Sequence, residues 1–451
     1  MAGQSHAPTL SQNGAVNAHR EVLVVGAGPA GMQAAWTAAS SGAKVTLIDD
    51  NPSMGGQIWR GEKVQSAIHR TRFEKLRRSN VRLLLGYQVV DTPSEGELLA
   101  VTNGEPERLR YDRLILATGA RERFLPFPGW TLPNVYGVGG LQAMVKGGLD
   151  VKGKRVVVCG SGPLLLSVAA SLRKAGAEVP LIAEQTNLTR LIGFLPALRH
   201  APGKFAEMVG LLRDLTGAGF RSSCYPVRAN GVERLVSLTL REGAQEWTVP
   251  CDFVATGFGF VPNIELALLL GCSVRGGTVI VDEWQRTSME QIYCAGEPTG
   301  IGGVEKALVE GSIAGLAASG AFTDESLRSR CAAQFGERAR LHRFAAALDA
   351  AFALRKELRT LAKPDTVVCR CEDVASGKLA EHGSWRSAKL HTRLGMGRCQ
   401  GRICGGATGF LYGWPMESVR PPLFPVSAGT MAGACSEPCS PIDPGIEAGK
   451  Q

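Results

Sequence analysis

The 451-residue chain has no uninterrupted apolar run long enough to cross a bilayer. Its most apolar long window, residues 253–271, is broken by Pro262, Asn263 and Glu265 and reads as buried core rather than a membrane span. Residues 1–20 are polar and carry no apolar core of the kind an export signal needs, which predicts a flexible lead-in and a cytoplasmic protein. Basic residues exceed acidic ones to give a net charge of +9, yet no long basic run with interleaved aromatics occurs. That argues against nucleic acid, and anionic cofactors or an acidic protein partner explain the sign of the charge instead. None of His342, His382 and His391 stands with a nucleophile, so each reads as a surface or packing residue and no substrate base is visible. The twelve cysteines form no regular framework; six are scattered from 159 to 331, four cluster from 369 to 404, and Cys435 and Cys439 lie in the tail. Without an export signal, a cluster of that kind predicts metal ligation in a reducing compartment rather than disulfides.

What is abundant is glycine, 56 residues or about one in eight. The most informative of these follow the apolar run Val22–Val25, in VLVVGAGPAGMQAAWTAASSGAKVTLIDD. Strand, tight turn and helix are expected in that order. Gly26 permits the turn, Gly28 lets backbone approach a pyrophosphate, and Gly31 lets the helix pack on the sheet, with Pro29 and Ala30 opening that helix. Asp49 ends the second strand 23 residues after Gly26, where a carboxylate can accept hydrogen bonds from an adenosine ribose, with Asp50 beside it. The loop that follows, NPSMGGQIWR, contributes Gly56, Gln57 and Arg60 as candidate contacts and holds no cysteine. A redox-active thiol pair beside a flavin is therefore excluded there.

Two strands run into Thr-Gly turns: RLILATGA, with Ala117, Thr118 and Gly119, and FVATGFGFVPN. They bracket the intervening segment, as expected if one nucleotide-binding domain is inserted into another. Within it KRVVVCGSGPLLLSVAASLRKAGAEVPLIAE repeats the opening unit, with Gly160 and Gly162 in place and Glu184 24 residues after Gly160. The third glycine is replaced by Leu165, which forces helix and strand apart and alters the phosphate end. A redox-silent fold, empty or holding an adenine nucleotide, fits that change better than a working nicotinamide site. Cys159 stands alone on its strand, so a thiol pair is missing here too. The segment CAGEPTGIGG then supplies Gly296, Glu297 and a helix opening near Gly303. Its carboxylate can meet ribityl or pyrophosphate groups and its helix N-terminus the pyrimidine edge of a flavin, which narrows the dinucleotide to FAD. Residues 324–363 are Arg- and Ala-rich with helical spacing and read as an amphipathic, solvated helix.

The quartet is Cys369-x-Cys371, a 27-residue interval, and Cys399-x4-Cys404. Two close pairs of thiolates can hold the two irons of a 2Fe-2S cluster or one tetrahedral zinc. A flavin that handles two electrons gains a one-electron exit from a cluster, which favours iron-sulfur with zinc as the alternative. Arg370, Arg393, Arg398 and Arg402 are expected to offset its charge.

The stretches VGAGPAGMQAA, GGQIWR, LATGARER, CGSGPLLL, CAGEPTGIGG and CRCEDV with TRLGMGRCQGRIC resemble the flavin-containing α subunits of bacterial heteromeric amine dehydrogenases. That family includes opine oxidases, proline and hydroxyproline dehydrogenases and hydrogen cyanide synthase. The resemblance implies an FAD-dependent, electron-transferring subunit. It also implies a flavin-containing β subunit that carries the substrate site and a small ferredoxin-like subunit as a further partner. The second cysteine pair is spaced x4 where the related bacterioferritin-associated ferredoxin has x2, which keeps zinc open. A stand-alone NAD(P)H-dependent flavin reductase and a non-catalytic docking subunit are the rival functions. The expected fold is α/β, with two nested Rossmann-like dinucleotide-binding domains as in glutathione-reductase-like flavoproteins and a C-terminal cysteine-rich ferredoxin-like domain. The expected boundaries are a flexible N-terminus (1–20), an FAD-binding domain (21–125 and 258–323) and an inserted second nucleotide-binding domain (126–257). A helical linker (324–364), a metal or iron-sulfur domain (365–425) and a flexible tail (426–451) complete the chain.

Overall fold

A computed structural model describes residues 20–59, 67–416 and 419–434. Its frame is two five-stranded parallel sheets. In the first the strand order is Ile292–Cys294, Arg113–Leu116, Glu21–Val25, Lys44–Asp49, Val81–Leu85. In the second it is Gly219–Arg221, Leu181–Glu184, Val156–Gly160, Phe253–Gly257, Val135–Gly137. Parallel strands are covered on both faces, which is why Val156–Gly160 and Phe253–Gly257 are buried along their whole length. Three-stranded antiparallel sheets, over 88–110 and 224–250, flank the two frames.

The chain passes between the frames twice, and the two crossings pair with each other. Ala120–Glu122 lies antiparallel to Phe260–Pro262, with Val261 opposite Arg121. Helix Gly303–Ala318 packs on helix Pro29–Ser40 through small residues: a Cβ on Gly311 would meet Ala30 O at 2.3 Å, and one on Gly315 would meet Ala34 O at 2.5 Å. Any side chain at either glycine would push the helices apart.

Residues 324–364 do more than span a gap, because the largely solvated helix expected here also buries one face. Helix Ala332–Ala351 buries Leu341 and Phe344, and Phe344 meets Phe194 of the second frame at 5.8 Å between ring centroids. On the other side Arg338 Nη1 donates to Glu283 O at 2.7 Å, and His342 meets Glu310. The helix thus touches both frames. The apolar periodicity is diluted by arginines, one of which, Arg338, sets its guanidinium over the Phe335 ring at 5.2 Å from the centroid.

The cysteine-rich region follows as a small unit with its own core of Val368, Val374, Leu379, Ala388, Leu394 and Trp414. The first residues of the expected tail carry a short helix. Ser427 caps helix Ala428–Gly433 by accepting from Thr430 N at 3.0 Å, and Thr430 Oγ1 donates to Gly104 O at 2.7 Å. Residues 1–19 and 435–451, including Cys435 and Cys439, lie outside the described residues. Among the described residues no helix is long and apolar enough to cross a membrane.

Candidate functional site

The first glycine loop is set by contacts that exclude side chains. Gly26 has φ +106°, and a Cβ there would lie 2.2 Å from Ala117 O; one on Gly31 would lie 1.7 Å from Gly26 O. Gly28 faces the second loop, since a Cβ on Gly56 would approach Gly28 Cα at 3.0 Å. Gly55 N donates to Ala27 O at 2.9 Å and fixes that approach. Asp49 braces the loop from the strand end, accepting from Ala27 N at 2.5 Å and from Asn51 N at 2.8 Å. Asp50 is exposed beside it, and Gln57 is exposed on the short helix Gly56–Trp59. Arg60 lies outside the described residues. Ala117, Thr118 and Gly119 form the adjoining wall, where Thr118 Oγ1 donates to Asn263 O at 2.6 Å and Asn263 Nδ2 returns to Thr118 O at 2.8 Å.

The closing segment meets this loop directly, because a Cβ on Gly296 would lie 2.8 Å from Ala30 Cβ. Glu297 accepts from Gly303 N at 3.0 Å and Gly302 N at 3.2 Å, so in the structure the carboxylate satisfies the helix N-terminus. Burial pushes its pKa up, against the pull of Lys306 and the two N–H donors.

Behind the segment is a group that motif reading missed. Lys306 Nζ, almost wholly buried, donates to Gly296 O at 3.1 Å, Gly300 O at 3.0 Å, Thr299 Oγ1 at 2.9 Å and Glu310 Oε2 at 2.9 Å. The other Glu310 oxygen lies 2.9 Å from His342 Nε2. Burial alone would raise the Glu310 pKa, but His342 and Lys306 hold it below the ordinary value. His342 is thus tied to this loop rather than isolated, while His382 and His391 stack on each other at 5.3 Å. Lysine and glutamate four apart signal only a helical pair; their burial depends on the helix stacked above them.

At the second glycine loop, Gly160 repeats Gly26: φ is +140°, and a Cβ would lie 1.9 Å from Gly257 O. Glu184 repeats Asp49, accepting from Gly162 N at 2.7 Å and Thr186 N at 2.8 Å, and burial pushes its pKa up. Leu165 is fully buried in the apolar cluster that holds Val138 and Val168. The loop mouth is crossed by the chain itself. Ser161 Oγ donates to Phe352 O at 2.9 Å, and the fully buried Gln185 donates to Ser161 Oγ at 2.9 Å and accepts from Arg355 N at 3.1 Å. Cys159 also has company, since Cys224 and Cys251 share its apolar cluster. Burial pushes the Cys224 and Cys251 thiols up to about 12 and Cys159 well above its usual value, in keeping with cysteines that serve as apolar core.

The four cysteines of the C-terminal unit line one cavity of about 280 Å³ with Phe124, Trp130, Arg370 and Ile403. Among the described residues no group of three or more His, Cys, Asp and Glu side chains is placed to hold a metal ion. Cys369 and Cys404 are buried in this unit, Cys371 is exposed and Cys399 half-buried, and Cys404 Sγ lies 4.0 Å from Gly401 O. The neighbouring Cys404 thiol draws the Cys369 pKa down to about 6, against burial, and the backbone N–H groups of Gly395, Glu372 and Cys371 act in the same direction. Of the four arginines expected around the quartet only Arg370 lines the cavity. Arg393 pairs with Glu372 at 2.7 Å, Arg398 is exposed, and Arg402 lies over Phe424 at 3.9 Å.

Arg121 joins this cavity to the glycine-loop wall. It donates to Asn263 Oδ1 at 2.7 Å, pairs with Glu265 at 2.7 Å, and its Nε donates to Arg402 O at 2.9 Å. Trp130, from the core of the second frame, ties that frame to the cysteine unit, its Nε1 donating to Val367 O at 2.6 Å.

Residues 20–311 match the family model described as pyridine nucleotide-disulphide oxidoreductase. An opine oxidase subunit of Rhizobium meliloti is 30% identical over 420 residues, 85% of this chain and 80% of the relative. The hydrogen cyanide synthase subunit HcnB of Pseudomonas aeruginosa is 34% identical over 427 residues, 85% of this chain and 90% of the relative. Among solved structures, L-proline dehydrogenase from P. horikoshii superposes with a TM-score of 0.64 at 20% identity, covering 91% of this chain and 79% of that one, a likeness of fold. The paired parallel sheets, the two glycine loops and the family match agree: the chain belongs to the pyridine nucleotide-disulphide oxidoreductase family.

Proposed function

We propose that this chain is the FAD-dependent, electron-transferring subunit of a heteromeric dehydrogenase acting on a secondary amine or amino acid, of the proline, hydroxyproline, opine or glycine-like class. The observation that carries the reading is Arg121, which ties the Thr118–Asn263 wall of the first glycine loop to the backbone of the cysteine loop at Arg402. The relatives support the substrate class and the assembly, since both are subunits by name.

Gly26, Gly28 and Gly31 leave room for the close backbone approach that a pyrophosphate takes, and Asp49 and Asp50, at the end of the second strand, are the carboxylates that would face a ribose. Gly296, Glu297 and Gly303 close the site from the other side, held by Lys306. The four thiols lining one cavity are the donor set that a two-iron cluster would take, two thiolates to each iron, and a flavin that handles two electrons gains a one-electron exit from such a cluster. The backbone N–H groups on Cys369 would hold its thiolate. When bound, FAD accepts an electron pair and a 2Fe-2S cluster passes electrons singly. The residues of this chain bind, orient and shield those groups, and among the described residues no side chain stands out as a base for a substrate proton. Substrate oxidation therefore belongs to a flavin-containing β subunit.

The test is the native complex, with its flavins released and identified, its iron and zinc measured, and cyclic amino acids and opines supplied anaerobically. We expect flavin reduction by one of these substrates, and loss of visible iron-sulfur absorbance in Cys399→Ser. Rapid bleaching by NADH would reassign the chain as a stand-alone NAD(P)H-dependent reductase. A colourless protein retaining zinc would reassign the quartet.

A further inference from the structure

The crossover from Leu181–Glu184 to Gly219–Arg221 runs through helix Leu188–Phe194, the turn Leu195–His200 and helix Pro202–Asp214. A crossover helix in a parallel sheet ordinarily buries an apolar stripe against its own sheet. These two helices contain no buried residue. Instead Leu188, Ile192 and Leu195 are 47–59% exposed, as are Phe205, Val209 and Leu212 at 51–54%. Each set is spaced i, i+4, i+7, so each forms a continuous stripe. Two adjacent segments with outward apolar stripes mark a surface that another molecule covers.

Position and charge indicate what covers it. Lys204, at the start of the second helix, pairs with Glu305 at 3.5 Å, in the first turn of the Gly303 helix that closes the flavin site. The stripe carrying Phe205 therefore abuts the closing segment. Arg190, Arg199 and Arg213 are exposed around the stripes, and among the described residues no carboxylate pairs with them. Asp214 is taken by Lys174, and Glu207 by Lys204. A second copy docked two-fold would set this arginine rim against itself. An apolar ridge edged by Asp and Glu meets both requirements.

We infer that the face formed by residues 188–214 is the docking surface for a protein subunit presenting an apolar ridge rimmed by carboxylates. The inference rests on the electron-transfer reading above and identifies the partner subunit that delivers electrons as the occupant. A partner seated there lies beside the closing segment.

The test compares wild type with Phe205→Glu/Leu212→Glu in the native complex, purified through a tag on this chain. Both residues are exposed, so the variant chain should keep its flavin content and melting temperature. We expect the second subunit to be lost, with affinity down about a hundredfold. Hydrogen exchange over 188–214 should be slowed in the wild-type complex relative to the isolated chain. Full retention of the second subunit with no such protection overturns the docking surface alone. A wild-type homodimer that the substitutions dissolve, the second subunit being kept, assigns the face to a second copy and also overturns it. Binding to phosphatidylglycerol vesicles that the substitutions abolish, again with the subunit kept, assigns it to a membrane and overturns it too. A native complex with no second subunit refutes the electron-transfer reading itself, and the docking surface with it.

Discussion

The two glycine loops begin from the same steric demand and end as different objects. Gly26 and Gly160 both lie under a carbonyl of the neighbouring strand turn, at would-be Cβ distances of 2.2 and 1.9 Å, and both loops are braced by a carboxylate from the next strand. They diverge at the third glycine. Gly31 brings helix backbone against Gly26 O, and the mouth above it is walled by other loops of the chain, Gly56 and Gly296. Leu165 turns the same position into core, and the mouth above it is crossed by Phe352 to Arg355. A nucleotide fold can keep its frame while its ligand face becomes a packing face.

The largest expected effect comes from copying the second loop into the first. Gly31→Leu places side-chain atoms where Gly26 O already lies, and should abolish flavin binding at a cost of at least about 3 kcal/mol, read as absorbance per chain and by denaturant melting. Retention of stoichiometric flavin would show that the close approach is not what the cofactor requires. The reverse exchange, Leu165→Gly, empties a buried site and should cost roughly 3–5 kcal/mol without creating a response to NADH, because the crossing segment remains. Flavin bleaching in that variant would mean that Leu165 alone closes the site. Gln185→Ala removes the bonds to Ser161 and Arg355 and should cost about 1–3 kcal/mol, with faster amide exchange confined to residues near 352–355. The smallest effect is in pH dependence. Burial raises the Glu184 pKa above its unfolded value, so the stability linked to it is fully present below the unfolded carboxylate pKa and is lost as pH rises through the folded one. Glu184→Gln should flatten that fall in a series of melts across mildly acidic to neutral pH.

Both loops were legible in sequence because hard-sphere contact leaves only glycine at Gly26 and Gly160, and the strand-to-carboxylate spacing follows from the length of one crossover. The cysteine quartet was legible from its clustering, and the structure gathers all four around one cavity. What sequence could not supply were partners distant along the chain. Arg121 meets Arg402, Ser161 meets Phe352, and Glu310 meets His342, and no local period encodes any of them. The stripe of Phe205, Val209 and Leu212 shows a further limit: helical period reveals that a face is apolar, but not whether it turns toward its own sheet or away.

The pairing of Ala120–Glu122 with Phe260–Pro262 also bears on modularity. Because Arg121 faces Val261, the entry and exit of the intervening segment are held side by side, and the insertion closes almost no open loop in the first frame. Excising everything between them and joining the two crossings through a short turn leaves the first sheet's strand order untouched. That makes this crossing the natural place to graft a foreign domain onto the flavin frame, or to circularly permute the chain.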